Sequence, residues 1–353
     1  MAVELCSCSD GDDPGLNLNR IRGAVDISHL TERMSFIIFH CTERQSRDNY
    51  MPIEDLIEIG GQVVAALRAD QPVVALESTV IAHGLPRPQN VKTAQQLEQV
   101  VRQGGAIPAT IAVLDGKLRV GLNEEQLKHI GNGDDIKKLS ARDLPIAVTR
   151  GWNGATTVAA TIWIAHRAGI KVFATGGIGG VHRGLLPDVS ADLPELARAP
   201  MIVVCSGAKI VLDLPATREW LETHSVTVVG YRCDEMPAFY SRSSGLSVDV
   251  RCDSTREIGK IFKAQRECGL QSALLVTVPV PSDAEVEGSL LKNVLDESLA
   301  EAERQRVTGR EVTPFLLRRM SERSQGATLR ANIALLENNA RVAAGIARGL
   351  QSI

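Results

Sequence analysis

Lys209 is the residue whose type and surroundings most directly suggest covalent chemistry. It follows the apolar run MIVVC in the segment CSGAK and lies between Ala208 and Ile210. A lysine just beyond a buried strand is partly desolvated, and desolvation together with nearby cations favours the neutral amine, which is a nucleophile. The alternative is a surface lysine whose aliphatic stem packs on apolar neighbours.

Glu77 is a carboxylate at a similar point of the pattern, in the segment VVALESTVIAHG. It follows an apolar run and precedes Ser78, Thr79 and, a few residues later, His83. Such a carboxylate is either the solvated end of a strand or part of the floor of a site. The sequence assigns no chemistry to His83, and we expect it to be a structural or supporting residue.

A glycine-rich segment, ATGGIGGVHRG, runs from Ala174 to Gly184. Glycines let the backbone approach an anion closely and point several amides at it. His182 and Arg183 add donors that suit a phosphate. The spacing of the glycines differs from that of the dinucleotide-binding fingerprint. The alternative to a phosphate-binding loop is a mobile glycine-rich turn.

Three further polar segments carry weaker signals. The segment DVSADL contains Asp188 and Asp192, whose oxygens suit Mg²⁺ or Mn²⁺. Asp192 could equally cap a helix, because apolar residues follow it at helical spacing. Lys138 precedes SARDLP, and this basic segment either forms a second side of the phosphate site or is a solvated surface. Asn332 lies in an otherwise apolar helical stripe, as a structural amide or as a residue that reaches inward.

Strands and helices that could position these residues alternate from Met51 onward. Near-continuous apolar runs predict strands: PVVAL, LPIAVT, IKVFATGG, MIVVC, VTVVGY and QSALLVTVPVP. The pair Asp115-Gly116 predicts a hairpin turn. Asn90 and Asn123 each predict a helix N-cap, and GATTVAATIWIAHRAG predicts a helix that ends at Gly169.

Helical spacing also marks both ends of this region. MPIEDLIEIGGQVVAAL predicts a helix interrupted by Gly-Gly. About the last fifty residues are predicted to be helical, with one stripe made of Leu329, Ile333, Leu336 and Ala340.

This alternation predicts an α/β fold, a three-layer α/β/α arrangement with a largely parallel central sheet. Residues 51–353 are predicted to form a single large domain, because no linker divides them. Residues 1–50 are polar and turn-rich and are predicted to be a poorly ordered extension. In such a sheet ligands bind beyond the carboxyl ends of the strands. Glu77, Thr175–Gly177, Ser206–Lys209 and Tyr231-Arg232 each follow a predicted strand, so we expect a site there.

The composition excludes several classes of protein. The net charge is −3, with 39 basic and 42 acidic residues, and aromatic residues make up 3%, which argues against a nucleic-acid partner. No apolar run approaches the ~20 residues of a membrane span, and no secretory signal is visible. The seven cysteines include no paired CxxC motifs, which indicates a reducing cytoplasm rather than a zinc site.

Taken in order, the motifs resemble the pseudouridine-5′-phosphate glycosidases over about residues 55–350. The segments that carry the resemblance are VVALESTVIAHGLPRPQN, GAIPATIAVLDGKLRVGL, RDLPIAV, NGATTVAAT, GIKVFATGGIGGVHRG, DVSADLPEL, CSGAKIVLDLPATREWLET, DEMPAFYSRSSG, GREVTPFLL and ANIALLENNA. The resemblance implies reversible cleavage of the C–C glycosidic bond of pseudouridine 5′-phosphate, giving uracil and ribose 5-phosphate. It also implies a homotrimer.

The resemblance further implies roles for individual residues. Lys209 would be the nucleophile that forms a Schiff base with C1′ of the ring-opened sugar, and Glu77 the proton donor. Asp188 would bind Mn²⁺, with Mg²⁺ or another divalent ion as an alternative. The residues expected to bind substrate are Lys138, Val158, His182, Ser190, Ala191, Asp192 and Asn332.

Two other functions remain open at this point. A different Schiff-base lyase that acts on a sugar phosphate would use the same lysine and the same phosphate loop. A non-catalytic nucleotide-binding protein would need neither a nucleophile nor an acid.

Overall fold

The computed structural model describes residues 56–184 and 188–352, so the predicted extension at residues 1–50 lies outside them. In this part of the chain one sheet of eleven strands is present. The strands are β1 (Ile57–Ile59), β2 (Val73–Leu76), β3 (Ile107–Leu114), β4 (Lys117–Val120), β5 (Lys137–Leu139), β6 (Gly154–Thr156), β7 (Val172–Ala174), β8 (Ile202–Cys205), β9 (Thr227–Tyr231), β10 (Val250–Cys252) and β11 (Leu274–Thr277).

Eleven α-helices connect or follow these strands in the described residues. They are α1 (Gly61–Arg68), α2 (Gln89–Gln103), α3 (Glu124–Asn132), α4 (Leu144–Arg150), α5 (Val158–Arg167), α6 (Asp192–Leu196), α7 (Leu214–Thr223), α8 (Thr255–Glu267), α9 (Gly288–Arg304), α10 (Val312–Arg323) and α11 (Ala327–Leu350). No helix of this set is long and apolar enough to cross a membrane.

The sheet is largely parallel, as predicted. Its main path runs β1-β4-β3-β2-β7-β8-β11-β9-β10, and every neighbouring pair along it is parallel except the hairpin β3-β4. Strands β5 and β6 pair with each other in parallel, and β6 joins β3 in antiparallel orientation. The hairpin turns at Asp115-Gly116, both with positive φ, as the sequence predicted.

Helices cover both faces of the central strands. Every residue of β2, β8 and β11 is buried, which requires a layer on each side of the sheet. The long helix α11 packs across β7, β2 and β8, while α5 packs against β2 and β3. The α/β fold with a largely parallel sheet is therefore confirmed, and the carboxyl ends of β2, β7 and β8 lie side by side.

One predicted strand is wrong, because LPIAVT belongs to the helix α4. Pro145 lies in its first turn, where the missing N–H costs nothing, and Gly151 ends the helix in the left-handed region with φ of 63°. Only Leu144 and Ala147 of the helix are buried, which is the spacing of a helical face. A short apolar run does not distinguish a strand from a helix by periodicity.

The first predicted helix is also wrong in part. Residues Ile57–Ile59 form β1, and the helix α1 begins only at Gly61. The Gly-Gly pair is thus a boundary and not an interruption. A Cβ on Gly60 would lie 2.6 Å from the carbonyl oxygen of Gly121, so the chain needs glycine where β1 ends.

Three details of the helices differ from or match the prediction. Asn123 caps α3 in a capping box with Gln126, as expected. Asn90 is not a cap but the second residue of α2, with a fully buried amide. In α11, Leu336 and Ala340 are buried but Leu329 and Ile333 are only half-buried, so the predicted stripe is rotated from the true one.

Candidate active site

A pocket of about 350 Å³ opens beyond the carboxyl ends of β2, β7 and β8. Its lining brings together all ten residues that the resemblance implied: Glu77, Lys138, Val158, His182, Asp188, Ser190, Ala191, Asp192, Lys209 and Asn332. Tyr231 at the end of β9 and Arg232 just after it do not line the pocket. A parallel sheet binds ligands at this edge, so the location agrees with the sequence argument.

A larger hollow, of about 730 Å³, lies beside β1 and α1. Its lining includes Glu58, Glu98, Arg102 and Arg119, which largely pair with one another as ions. None of the residues predicted to do chemistry lines this hollow. We therefore take the smaller pocket, where strand ends and unlike charges converge, as the candidate active site.

Backbone pairing beyond β7 and β8 positions Lys209. The two segments that follow these strands stay side by side and are joined by three backbone hydrogen bonds of 2.9–3.1 Å. The amide of Ser206 donates to the carbonyl of Gly176, that of Ile178 to the carbonyl of Gly207, and that of Lys209 to the carbonyl of Ile178. The side-chain amide of Asn339 on α11 donates to the carbonyl of Thr175 at 2.9 Å. Lys209 is therefore held on a rigid extension of the sheet and not on a loose loop.

The turn before Lys209 is shaped by unusual backbone conformations. Gly207 has φ of 78°, and a Cβ there would lie 2.0 Å from the carbonyl oxygen of Pro237. Phe239 also has a positive φ, of 62°, which is rare and strained for a bulky residue and persists only where the surrounding structure imposes it. Its amide donates to Ser206 at 3.0 Å, and its ring fills the space beside Gly177.

Glu77 is an acid whose protonated form is favoured. Burial raises the pKa of this carboxyl above its usual range, although Lys209, the hydroxyl of Thr175 and Lys138 act in the opposite direction. Thr175 donates a hydrogen bond to Oε1 of Glu77. Ser78 anchors the segment, since its hydroxyl donates to the carbonyl of Ile111 at 2.6 Å. A raised pKa brings a carboxyl closer to the range in which it can act as a general acid.

Lys138 lies near both of the proposed reacting side chains. Burial lowers its pKa, and the cation of Lys209 lowers it further, while Glu311, Asp192 and Glu77 raise it. His83 also has a pKa below its usual value, through burial and through the charge of Lys138. We call Glu77, His83 and Lys138 the acid–base cluster, because the protonation of each is displaced by its surroundings.

Asp192 joins three parts of the site through its carboxylate. One oxygen accepts the amide of Ala159 at the start of α5, at 2.9 Å, and the other accepts the amide of Gly179 at 2.8 Å. The predicted cap of its own helix is wrong, since Ala191 is the N-cap of α6. Because each oxygen accepts a backbone amide, Asp192 ties the loop to the start of α5.

The glycine-rich loop is interlocked with its surroundings. Its amides at Ile178, Gly179, Val181 and His182 donate to protein acceptors, which leaves fewer for an anion than the sequence suggested. The expectation that Arg183 binds phosphate is not supported, because its guanidinium donates to the carbonyls of Leu212 and Ile210 and does not line the pocket. His182 does line it.

Residues 188–192 continue this loop on the pocket side. The amide of Ser190 donates to the carbonyl of Gly180 at 2.9 Å, and a Cβ on Gly179 would lie 2.2 Å from the Ser190 hydroxyl. Ala191 is exposed and Asp192 is buried. We call Gly176–Gly184 together with Asp188–Asp192 the loop cluster; residues 185–187 lie outside the described part of the chain.

Asp188 is the proposed metal ligand, and it faces few partners. It is exposed and lines the pocket, and among the described residues no group of three or more His, Cys, Asp or Glu side chains could hold a metal ion. A divalent ion that is bound through one carboxylate plus water and substrate oxygens still fits this donor set. A closed, fully protein-ligated site does not fit the described residues.

Several pocket residues carried no local signal that sequence reasoning could use. Phe239 was seen only as part of a motif. Thr175, which bonds to Glu77 without lining the pocket itself, was seen only as part of a glycine-rich segment. Thr313, Pro314 and Leu317 of α10 reach the pocket from about a hundred residues beyond Lys209. Hydrophobic periodicity does not reveal which helix covers a strand end.

Comparisons with known proteins identify the family of this chain. The family described as "Indigoidine synthase A like protein" matches residues 62–349. The chain belongs to this family. Among curated relatives, the pseudouridine-5′-phosphate glycosidase of Caldanaerobacter subterraneus subsp. tengcongensis is 48% identical over 299 residues, covering 84% of this chain and 97% of the relative. That of Geobacillus kaustophilus is 49% identical over 300 residues, covering 84% and 100%.

Two solved structures share the fold. The prealnumycin C-glycosynthase AlnA, solved in complex with ribulose 5-phosphate, superposes with a TM-score of 0.78 at 38% identity, covering 84% of this chain and 97% of that chain. An indigoidine synthase A-like protein from Thermotoga maritima superposes with a TM-score of 0.76 at 40% identity, covering 83% and 95%.

Proposed function

We propose that this enzyme is a C-glycosidase that reversibly cleaves pseudouridine 5′-phosphate to uracil and ribose 5-phosphate. The observation that carries the proposal is the meeting of Lys209 and a raised-pKa Glu77 in one pocket, each at the end of a buried strand. The names of the curated relatives support the same substrate, and the sugar phosphate held by AlnA supports the same class of ligand.

Lys209 would act as the nucleophile. In the direction of synthesis, its amine condenses with the aldehyde of open-chain ribose 5-phosphate and releases water. Uracil C5 then gives an electron pair to the iminium carbon C1′ and loses its proton, which completes the C–C bond. The 4′-hydroxyl displaces the lysine amine as the ring closes, and the amine takes up the hydroxyl proton. Cleavage is the reverse of these steps.

Glu77 would move the protons that these steps require. During cleavage a carboxylic acid protonates the ring oxygen or uracil C5, and burial raises the pKa of Glu77 towards the protonated form that can do so. Lys138 is close enough to Glu77 for their charges to interact, and burial lowers the pKa of its amine. This amine would donate a hydrogen bond to the substrate.

The loop cluster would bind the sugar phosphate. His182 and Ser190 supply side-chain donors, Ala191 and Val158 contribute lining surface, and Asn332 adds an amide at the same pocket. Asp192 supports this by fixing the loop to α5. Binding a remote phosphate helps to fix the reacting carbon beside the lysine, which is where such binding energy accelerates a reaction.

We further propose that Asp188 holds a divalent ion, Mn²⁺ or alternatively Mg²⁺, together with water and substrate oxygens. A bound divalent ion would supply positive charge that orients and polarises substrate oxygens. The exposed position of Asp188 at the pocket edge supports exchange of this ion with solvent.

The test is synthesis from uracil and ribose 5-phosphate, with Mn²⁺, with Mg²⁺, and with a chelator. We expect pseudouridine 5′-phosphate to form with at least one metal and to be lost on chelation. No product with either metal would contradict the proposed function. Product that persists in chelator would remove the metal from the proposal.

A second candidate, another Schiff-base lyase acting on a sugar phosphate, shares the lysine and the pocket. Borohydride trapping does not separate the two, because both form an imine. Release of uracil from pseudouridine 5′-phosphate does. An enzyme that traps ribose 5-phosphate but never releases or consumes uracil would be the lyase.

We also propose a homotrimer in the cytoplasm. The trimer follows from the resemblance of the sequence motifs to the glycosidases. The cytoplasmic location is supported by the free thiols of the described cysteines, Cys205, Cys233, Cys252 and Cys268, which suit a reducing compartment.

A further inference from the structure

His83 is a pocket residue that the proposed mechanism leaves without a role. It lies in a short π-helical turn, Val80–Gly84, that begins three residues after Glu77. The side chain lines the same pocket as Glu77, Lys138 and Lys209. Its ring can form hydrogen bonds in a pocket whose other polar side chains at this end, Glu77, Lys138 and Lys209, are ionisable groups used by the proposed mechanism.

The turn that carries His83 is rigid. The amides of Ile81 and Ala82 both donate to the carbonyl of Ser78 at 3.0 Å. The buried side-chain amide of Asn90 donates to the carbonyls of Ile81, at 2.9 Å, and Gly131, at 2.8 Å. Asn90, which the sequence suggested as a helix cap, thus joins the turn to α2 and α3 by hydrogen bonds. A ring on such a backbone is pre-organised for a ligand.

The imidazole is neutral and incompletely satisfied. Burial lowers its pKa, as does Lys138 on β5, while Glu311 before α10 and the carbonyls of Ile136 and Lys137 raise it. Its Nε2 is buried and has no hydrogen-bond partner in the described part of the chain. Buried polar atoms are normally paired, so an unpaired one at a pocket calls for an explanation.

The surroundings of His83 suit an uncharged, flat group. The turn packs against α10, whose residues Thr313, Pro314 and Leu317 line the pocket, and Val80 of the turn also lines it. A phosphate would instead seek the loop cluster, with His182 and Ser190. Besides the loop cluster, the pocket therefore has a wall where His83 lies beside apolar residues, with Lys138 and Glu311 as the charged neighbours of the ring.

We propose that His83 recognises the nucleobase and is a specificity-determining residue, forming a hydrogen bond to the polar edge of uracil. This inference rests on the proposed function, since it assigns the two reactants to different parts of the pocket. A uracil ring offers alternating N–H and C=O groups, and a neutral imidazole offers one donor and one acceptor. The base contact would not require any change in the protonation of His83.

The experiment measures the KM of each reactant separately in the direction of synthesis. For His83→Phe, which keeps a ring but removes hydrogen bonding, we expect KM for uracil to rise about tenfold or more. KM for ribose 5-phosphate and borohydride trapping on Lys209 should stay within about twofold of the unmodified enzyme. His83→Gln, which restores a donor and an acceptor, should recover part of the loss.

His182→Asn is the matched comparison, because it changes a histidine of the same pocket in the loop cluster. It should raise KM for ribose 5-phosphate and leave that for uracil unchanged. If His83→Phe does not fold, His83→Asn supplies the same measurement with a smaller polar side chain.

Two results would overturn the inference while leaving the proposed function intact. One is an unchanged KM for uracil in His83→Phe. The other is an equal rise in both KM values, which would indicate a structural role. If the unmodified enzyme makes no product at all, the proposed function fails, and the assignment of His83 to the nucleobase fails with it.

Discussion

The acid–base cluster and the loop cluster line the same pocket but are built in opposite ways. In the loop cluster, backbone amides and the carboxylate of Asp192 are matched to one another by hydrogen bonds of 2.8–3.1 Å. In the acid–base cluster, Glu77, His83 and Lys138 have displaced pKa values, and burial is the first cause in each case. The loop cluster is thus held in one shape by hydrogen bonds, whereas in the acid–base cluster burial shifts the pKa values of the side chains.

This difference suggests a division of labour. A satisfied, interlocked loop would hold the sugar phosphate in one geometry, which is what positioning requires. In the other region, a partly desolvated acid such as Glu77 would exchange protons with a reacting molecule, which is what acid–base chemistry requires. Variants that distinguish the two regions should therefore fall into separate kinetic and structural classes.

The largest effect is expected from Lys209→Ala. Removing the amine should abolish borohydride trapping with ribose 5-phosphate and reduce turnover to the uncatalysed background. Mass spectrometry of the reduced protein measures the trapping. Lys171→Ala, at an exposed lysine next to the start of β7 and away from the pocket, is the control and should label fully. Full labelling of Lys209→Ala would assign the nucleophile to another residue.

Glu77→Gln should have the next largest effect. The amide cannot give up a proton as an acid does, so we expect a decrease of about 10²–10⁴-fold in kcat. Trapping of ribose 5-phosphate should persist, because the amine remains. Steady-state kinetics and the trapping assay together test this. A variant with unchanged kcat would show that Glu77 is not the acid.

Thr175→Val tests the electrostatics of that acid. The Thr175 hydroxyl lowers the pKa of Glu77, so its removal should raise this pKa further above the usual range. An acid is active when protonated, and activity therefore falls as pH rises through its pKa. The alkaline limb of the pH–rate profile should accordingly move to higher pH in Thr175→Val.

Thr277→Val is the matched control for that shift. Thr277 is a buried threonine at the end of the parallel strand β11, but its hydroxyl donates to the carbonyl of Val229 and not to a carboxyl group. Its alkaline limb should stay in place. A shift of the same size in both variants would mean that Thr175 does not act through Glu77.

Asp192→Asn should affect the loop cluster and the fold more than the chemistry. Asparagine accepts one of the two amides but presents a donor to the other, so we expect the free energy of unfolding to fall by ~1–3 kcal/mol. KM for ribose 5-phosphate should rise, as the loop loosens. Denaturant unfolding and kinetics measure the two effects.

The control for Asp192→Asn is Asp213→Asn. Asp213 caps α7 by accepting a single amide, from Ala216, and asparagine caps helices about as well. This variant should lose little stability and keep its KM. Equal losses in both variants would contradict a special role for the two-amide tie.

The smallest effect is expected from Arg183→Ala. Its guanidinium bonds to the carbonyls of Leu212 and Ile210, so KM for ribose 5-phosphate should change by about twofold or less. A rise of tenfold or more would instead support the sequence-based expectation that Arg183 binds the phosphate.

The positions of Glu77 and Lys209 at one edge of the sheet could be predicted from the local pattern of apolar runs. Apolar runs mark buried strands, buried strands alternating with helices mark a parallel sheet, and the residues that follow such strands meet at one edge. The resemblance to the glycosidases added roles to these positions. The fold class and the pocket residues could thus be predicted, while their contacts could not.

What escaped prediction depends on partners that are distant in sequence. Asp192 contacts amides that are 33 and 13 residues away, so its spacing suggested only a cap of its own helix or a metal ligand. Asn90 was mistaken for a cap because its carbonyl partners lie 9 and 41 residues away. Leu144–Arg150 is a short and nearly continuous apolar run, so its period does not separate helix from strand.

The most direct test of the account is release of uracil from pseudouridine 5′-phosphate, followed by its ultraviolet absorbance, with the unmodified enzyme and Lys209→Ala side by side. We predict that the unmodified enzyme with a divalent metal releases uracil and one equivalent of ribose 5-phosphate, and that Lys209→Ala releases neither. Absence of uracil release from the unmodified enzyme, or equal release by both proteins, would contradict a C-glycosidase that works through Lys209.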